Sequence, residues 1–149
     1  MNYLYMFLVV LFFSCDSQSA NAAADKINFE EVSHFFYPLI SEQYLVLNTQ
    51  EKIDSVYKVI HSKSPGNRLA PIPSLSDNES YIIFKPLVKN SNDVEIKEIS
   101  RKGNTIYVDV GEFHNPDVQK SSRISPYVLV KLLKKVNPKK IVFNYQKLK

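Results

Sequence analysis

The segment Asn104 to Val110, "NTIYVDV", constrains this chain most: Ile106, Val108 and Val110 fall on one side, Thr105, Tyr107 and Asp109 on the other. A period of two over that length predicts a strand with one buried and one wet face. "DVEIKEIS" precedes it, and "RKGN" between them offers Gly103 for a left-handed residue, so the pair reads as a hairpin with a bulged turn. Three more runs have strand texture: "YIIFKPLV" from Tyr81, "QYLVLN" over 43–48 and "EVSHFFYPLI" over 31–40. Pro38 confines the last of these to an edge or an end.

One helix stands out. In "NTQEKIDSVYKVIHSK", Asn48 or Thr49 can cap, Glu51 follows Asn48 by three as in a capping box, and Ile53, Val56, Tyr57 and Ile60 form one apolar stripe. It stops near "SPGN" at 64–67, and "RLAPIPSLSDNES" reads as an extended linker on the surface. "SPYVLVKLLKKVNP" fits two patterns: Ser125 and Pro126 can open a helix carrying Leu129, Leu132, Leu133 and Val136, while Val128, Val130 and Leu132 fit a strand. The reading adopted for 126–136 is a strand, 127–133, in a local hairpin with 140–145. The expected fold is α+β: a mainly antiparallel, sandwich-like β-sheet domain with one covering helix at about 49–62.

Cys15 is the only cysteine, so no intramolecular disulfide can form and an apolar core must hold the domain. The apolar run Leu4 to Phe13 is too short to cross a bilayer, which takes roughly 20 residues, and reads as the h-region of a signal peptide. Leu11 to Cys15 is similar to a bacterial lipobox. Phe12 stands where leucine is usual, and Met1 to Tyr3 carries no Lys or Arg. Ala20, Ala22, Ala23 and Ala24 offer the competing small-x-small site. Lipidation of Cys15 is the reading adopted, which makes the protein a membrane-anchored lipoprotein of a bacterial cell envelope. Cleavage after Ala22–Ala24 would make it a soluble secreted or periplasmic protein. Residues 1–14 are then the signal peptide, 15–28 the lipid attachment and a polar tether, and 29–149 one globular domain.

All fifteen acidic residues lie at or before Asp117, and nine basic residues follow it. Lys131, Lys134, Lys135, Lys139 and Lys140 could therefore meet anionic headgroups, the basis of an alternative reading as a peripheral membrane module. A solvated lysine-rich face is the plainer account. Nucleic acid is not expected, because the basic stretch lacks an arginine- and aromatic-rich platform. With three glycines, phosphate-cradling loops are absent, no Gly-x-Ser-x-Gly elbow occurs, and a Cys–His nucleophile would need the cysteine already assigned to lipid. Asp109, Glu112, His114 and Asp117 could hold a divalent cation, but a solvated loop is the preferred account of them. No catalytic residue, cofactor or metal is expected. Tyr107, Tyr127 and Tyr145 fall where strands could present them on an outer face, and tyrosine suits a partner surface.

The stretch "YIIFKPLV…VEIKEISRKGNTIYVDV…SPYVLVKL…KKIVF" resembles the PrcB-type domain, a small β-rich domain of bacterial exported proteins and lipoproteins, associated with stabilising a surface protease complex. The likeness covers roughly Ser80 to Phe143 and, with the flanking residues, marks 80–145 as a PrcB-like β region. Its most specific pieces are Val94 to Val110 with the Lys-Gly-Asn turn, and Ser125-Pro126-Tyr127. It implies a strand at "PYVLVKLL" and a non-enzymatic accessory domain that binds a cell-envelope protein, a protease among the partners. The family's glycine-glycine-aromatic element is replaced here by "VKNSND" at 88–93.

Overall fold

The hairpin forms as the alternation predicts. In the computed structural model, which describes residues 24–64, 69–89, 91–118 and 125–146, Asp93–Lys102 (β5) pairs antiparallel with Thr105–Phe113 (β6). Gly103 turns between them at φ 59°, in the left-handed region where a Cβ is penalised. Ile106, Val108 and Val110 are fully buried, while Thr105, Tyr107 and Asp109 stay partly exposed. A bulge at Lys97 lets Val94, Ile96 and Ile99 share the inner face. Cys15 and the run Leu4 to Phe13 lie outside the described residues.

The other strands are Asp25–Lys26 (β1), Phe29–Phe35 (β2), Tyr44–Leu47 (β3), Ser80–Phe84 (β4), Tyr127–Leu132 (β7) and Lys140–Gln146 (β8). They build two four-stranded sheets, one ordered β1-β5-β6-β8 and the other β2-β7-β4-β3. All pairs are antiparallel except β6 with β8. Between the sheets lies one core, with Ile82, Phe84, Val128, Val130 and Leu132 from the second sheet meeting Val94, Ile99, Ile106, Val108 and Val110 from the first. The helix Gln50–Lys63 (α1) covers the far side of the second sheet, where Ile53, Val56, Tyr57 and Ile60 pack on Tyr81, Ile83, Tyr127 and Leu129. The layers are therefore sheet, sheet, helix, and the α+β sandwich is the fold.

The middle layer explains the ambiguity at "PYVLVKLL". Both faces of β7 are covered, so Val128 and Val130 face one core and Tyr127 and Leu129 the other. A strand buried on both sides reads as a continuous apolar run, which periodicity cannot tell from a buried helix. The segment is a strand, but the expected hairpin with 140–145 does not form. Residues 133–139 instead carry the chain across to the first sheet, where β8 lies parallel to β6.

The domain also starts earlier than Phe29. Asp25 and Lys26 pair with Arg101 and Ser100, and Ile27 is 1% exposed in the inter-sheet core. Ile27 is the one large apolar residue in a small, polar stretch, so no period marks it. Helix α1 is capped by Thr49, whose side chain accepts from the backbone N–H of Lys52, and the Asn48–Glu51 capping box is not used. Asn48 accepts from Lys52 Nζ instead. None of the helices among the described residues is long and apolar enough to cross a membrane.

Candidate functional site

The densest polar cluster joins the two sheets at one end of the sandwich. Asp93, 2% exposed at the start of β5, faces His34 of β2, with Oδ1 2.7 Å from the imidazole Nδ1. The same Oδ1 accepts from the Val94 N–H at 2.8 Å, and Oδ2 accepts from Asn115 Nδ2 at 2.7 Å. On the other side of the ring, His34 Nε2 lies 3.1 Å from Glu31 Oε2, while Glu31 Oε1 accepts from the Ile96 N–H at 2.7 Å. Asn92 and Asn115 close the loop by exchanging bonds, Asn115 N–H to Asn92 Oδ1 and Asn92 Nδ2 to Asn115 O, both at 2.7 Å.

Glu31 and His34 can share this site only because β2 is irregular. In a regular strand, residues three apart face opposite sides. The register of β2 on β7 slips between Glu31 and Ser33, so that Glu31 opposite Val130 and His34 opposite Val128 both point at the first sheet. The Glu31 carboxylate at Nε2, with Asp93 at Nδ1, raises the His34 pKa above its ordinary 6.5 against the opposing effect of burial. Each ring nitrogen already holds a carboxylate. The ring can take a substrate proton or a metal only by first releasing one of them, and the arrangement acts as a clasp between layers. Every buried side-chain N and O among the described residues has a partner.

Sequence reasoning missed this cluster. His34 and Asp93 are 59 residues apart and the β2 slip leaves no mark in composition; a histidine at an inward position of a strand-like run was the only signal.

The three tyrosines are not brought together. Tyr107 lies on the wet face of the first sheet opposite Val142. Tyr127 is 5% exposed beneath α1, with Lys85 Nζ 5.5 Å from its ring centroid. Tyr145 stands at the end of β8, and its hydroxyl accepts from the Leu87 N–H at 2.8 Å.

The lysines divide as well. Lys131 pairs with Glu79 at 2.7 Å on the helix side of the second sheet, which raises the lysine's pKa and lowers the glutamate's. Lys134 pairs with Asp25, lowering that carboxyl's pKa. Lys135, Lys139 and Lys140 are exposed. Asp109 accepts from Asn144 Nδ2 at 2.8 Å and Glu112 from Lys89 N–H and Ser91 Oγ, so the acidic residues near His114 are drawn to different neighbours. Among the described residues no group of three His, Cys, Asp or Glu could hold a metal ion. Comparison of the chain with protein-family models, with curated proteins and with solved structures finds no match in any of the three.

Proposed function

We propose that the chain is a lipid-anchored protein of the bacterial cell envelope, attached through Cys15, whose domain binds and stabilises a partner protein without catalysing a reaction. A protease complex is the partner that the PrcB-type resemblance implies. One observation carries the reading: among the described residues, no strand pairs with the outer edge of β8 and nothing guards it. Edge strands are normally protected by charge, proline, bulges or brevity, because their free N–H and C=O groups template pairing with another chain. Here β3 is four residues long, β2 is bulged and carries Glu30 and Glu31, and β5 is bulged and partly covered by β1. By contrast, β8 continues from Lys140 as "IVFNYQ", uncharged, without proline and in unbroken register with β6. Leu87, 56% exposed, and Tyr145, 37% exposed, sit at its end. An extended partner segment can add to such an edge, main-chain bonds supplying affinity and the flanking side chains selectivity.

Affinity purification from solubilised envelope with mass spectrometry tests this, using the wild type and a Val142→Lys/Asn144→Lys pair that guards the edge with charge. The wild type is expected to recover a stoichiometric companion, and the variant to lose it while melting at nearly the same temperature. Repeated recovery of the protein alone, or a companion retained undiminished by the variant, overturns the proposal.

A further inference from the structure

At the end of the sandwich opposite the clasp, three pieces of chain meet. The β5–β6 turn brings Arg101 and Lys102. The connection from β7 to β8 brings Lys134, Lys135, Lys139 and Lys140, and it is fastened to that turn by the Lys139 N–H on Asn104 O at 2.9 Å. The third piece is β1, where the chain emerges from residue 24. Its Asp25 takes Lys134, and its Lys26 bonds Glu98 at 3.1 Å. Lys102, Lys135, Lys139 and Lys140 are exposed and make no ion pair among the described residues. Leu133, 46% exposed, stands in the same connection, so the surface offers an apolar side chain among cations. On the helix side of the second sheet Glu79 occupies Lys131, which therefore does not belong to the patch. Towards the other end lie Glu31, Asp93, Glu112 and Asp117, with Lys85 and Lys89 among them.

We infer that this basic end is a membrane-contacting surface that lies on anionic phospholipid headgroups and orients the anchored domain. The inference rests on the lipid-anchored reading for its geometry. Ala24 is nine positions after Cys15, a reach of at most about 32 Å at 3.3–3.6 Å per residue. Nine-residue β6 runs from this end to the other, about 30 Å at the usual strand rise. The tether enters at the basic end and so lets its lysines reach the bilayer, while a span as long as the domain leaves the orientation to be set by the surface itself. Electrostatic attraction to anionic lipid falls off within a Debye length of about 8–10 Å, so only the near end can feel it. A lysine near such a surface strengthens partition about fivefold. Four such lysines together would strengthen it several hundredfold, and the exposed leucine adds burial at the boundary.

The test uses the full chain, expressed with its own leader, purified in detergent, and reconstituted in phosphatidylglycerol–phosphatidylcholine or phosphatidylcholine vesicles containing headgroup spin-labelled lipid. A fluorophore at Asn104→Cys in the turn, or at His114→Cys at the far end, reads the distance to the bilayer by quenching. Stronger quenching at 104 than at 114 is expected in the anionic vesicles and not in the neutral ones. Replacing the four lysines (Lys102→Gln, Lys135→Gln, Lys139→Gln and Lys140→Gln) should abolish the difference. Equal quenching at both positions in anionic vesicles overturns the inference, as does a difference that survives the four replacements. The mass of the N-terminal peptide judges the anchor separately. If Cys15 carries no acyl chain, the anchored reading fails, and co-sedimentation of the protein with the two vesicle types decides the surface: preference for anionic vesicles, lost in the lysine variant and in high salt, supports it, and equal binding to both overturns it.

Discussion

Replacing Asp93 with alanine should destabilise the domain by about 3 kcal/mol, and the reason lies in what the carboxylate leaves behind. Three donors converge on it: His34 Nδ1, the Val94 N–H and Asn115 Nδ2, all within 2.8 Å. The Val94 N–H is buried, and an orphaned buried donor costs roughly 1–3 kcal/mol. Loss of the cross-sheet bond to His34 adds about 1.5–3 kcal/mol, the usual range for a hydrogen bond to a charged group. Part of this is recovered because His34 keeps Glu31 and Asn115 can turn to water. The sum, about 3 kcal/mol, should lower the melting temperature by roughly 10 °C for a domain of this size. Asp93→Asn keeps an acceptor for Val94 and should cost about half as much. Chemical denaturation read by circular dichroism measures both, and a double-mutant cycle with His34→Gln isolates the pair. A loss below about 1 kcal/mol for Asp93→Ala refutes the clasp. So does a His34→Gln cost that is unchanged when Asp93 is already alanine, because the two side chains would then act independently.

Other outcomes follow from the same contacts. Because the His34 pKa is raised in the folded state, its contribution is fully present below the unfolded value of about 6.5 and is lost as pH rises through the folded value. The stability difference between wild type and His34→Gln should therefore shrink as pH is raised from 5 to 9, as read by denaturant titration at each pH; a difference that grows with pH would contradict the assignment. Ile83→Ala removes a fully buried side chain between β4 and α1 and should cost about 2–5 kcal/mol, whereas Val32→Ala, 43% exposed, should change stability by less than about 0.5 kcal/mol. Gly103→Ala meets no atom within 4 Å and should cost about 1 kcal/mol from its φ of 59° alone, measurable by thermal melting.

How far the sequence discloses the fold depends on which layer a strand occupies. The first sheet has one wet face, so β6 alternates and its hairpin, turn and inward residues could be named in advance. The second sheet is covered on both sides, so "SYIIF" and "YVLVKL" show no alternation, and neither their faces nor the partner of β7 could be read from pattern. Proximity in sequence favours a β7–β8 hairpin, but β7 pairs with β2 and β4 while β8 pairs with β6. Ile27 escaped for a related reason: one buried residue at a crossing between sheets has no period. The clasp is the extreme case, because it depends on a slip in β2 and on two strands from different sheets. Asp93 and His34 are single polar residues in runs that otherwise read as plain strand sequence.

The two proposed surfaces constrain each other. Strand β8 begins at Lys140 in the basic end and finishes at Gln146, opposite Gly111 and one residue past Tyr145, whose hydroxyl bonds the Leu87 N–H, towards the clasp. With the basic end on the headgroups, β8 stands away from the bilayer instead of lying along it, and an added partner strand has to run in the same line. Positions 142 and 146 are then separated by about 13 Å of height at the usual strand rise. Photo-crosslinkers at Val142 and Gln146 should accordingly join the partner at residues about four apart in one extended segment. The order of those residues along the partner would tell whether its segment runs towards the membrane or away from it. Crosslinks to the partner from both positions at a single residue, or at residues far apart in its chain, would contradict strand addition even if binding itself were confirmed.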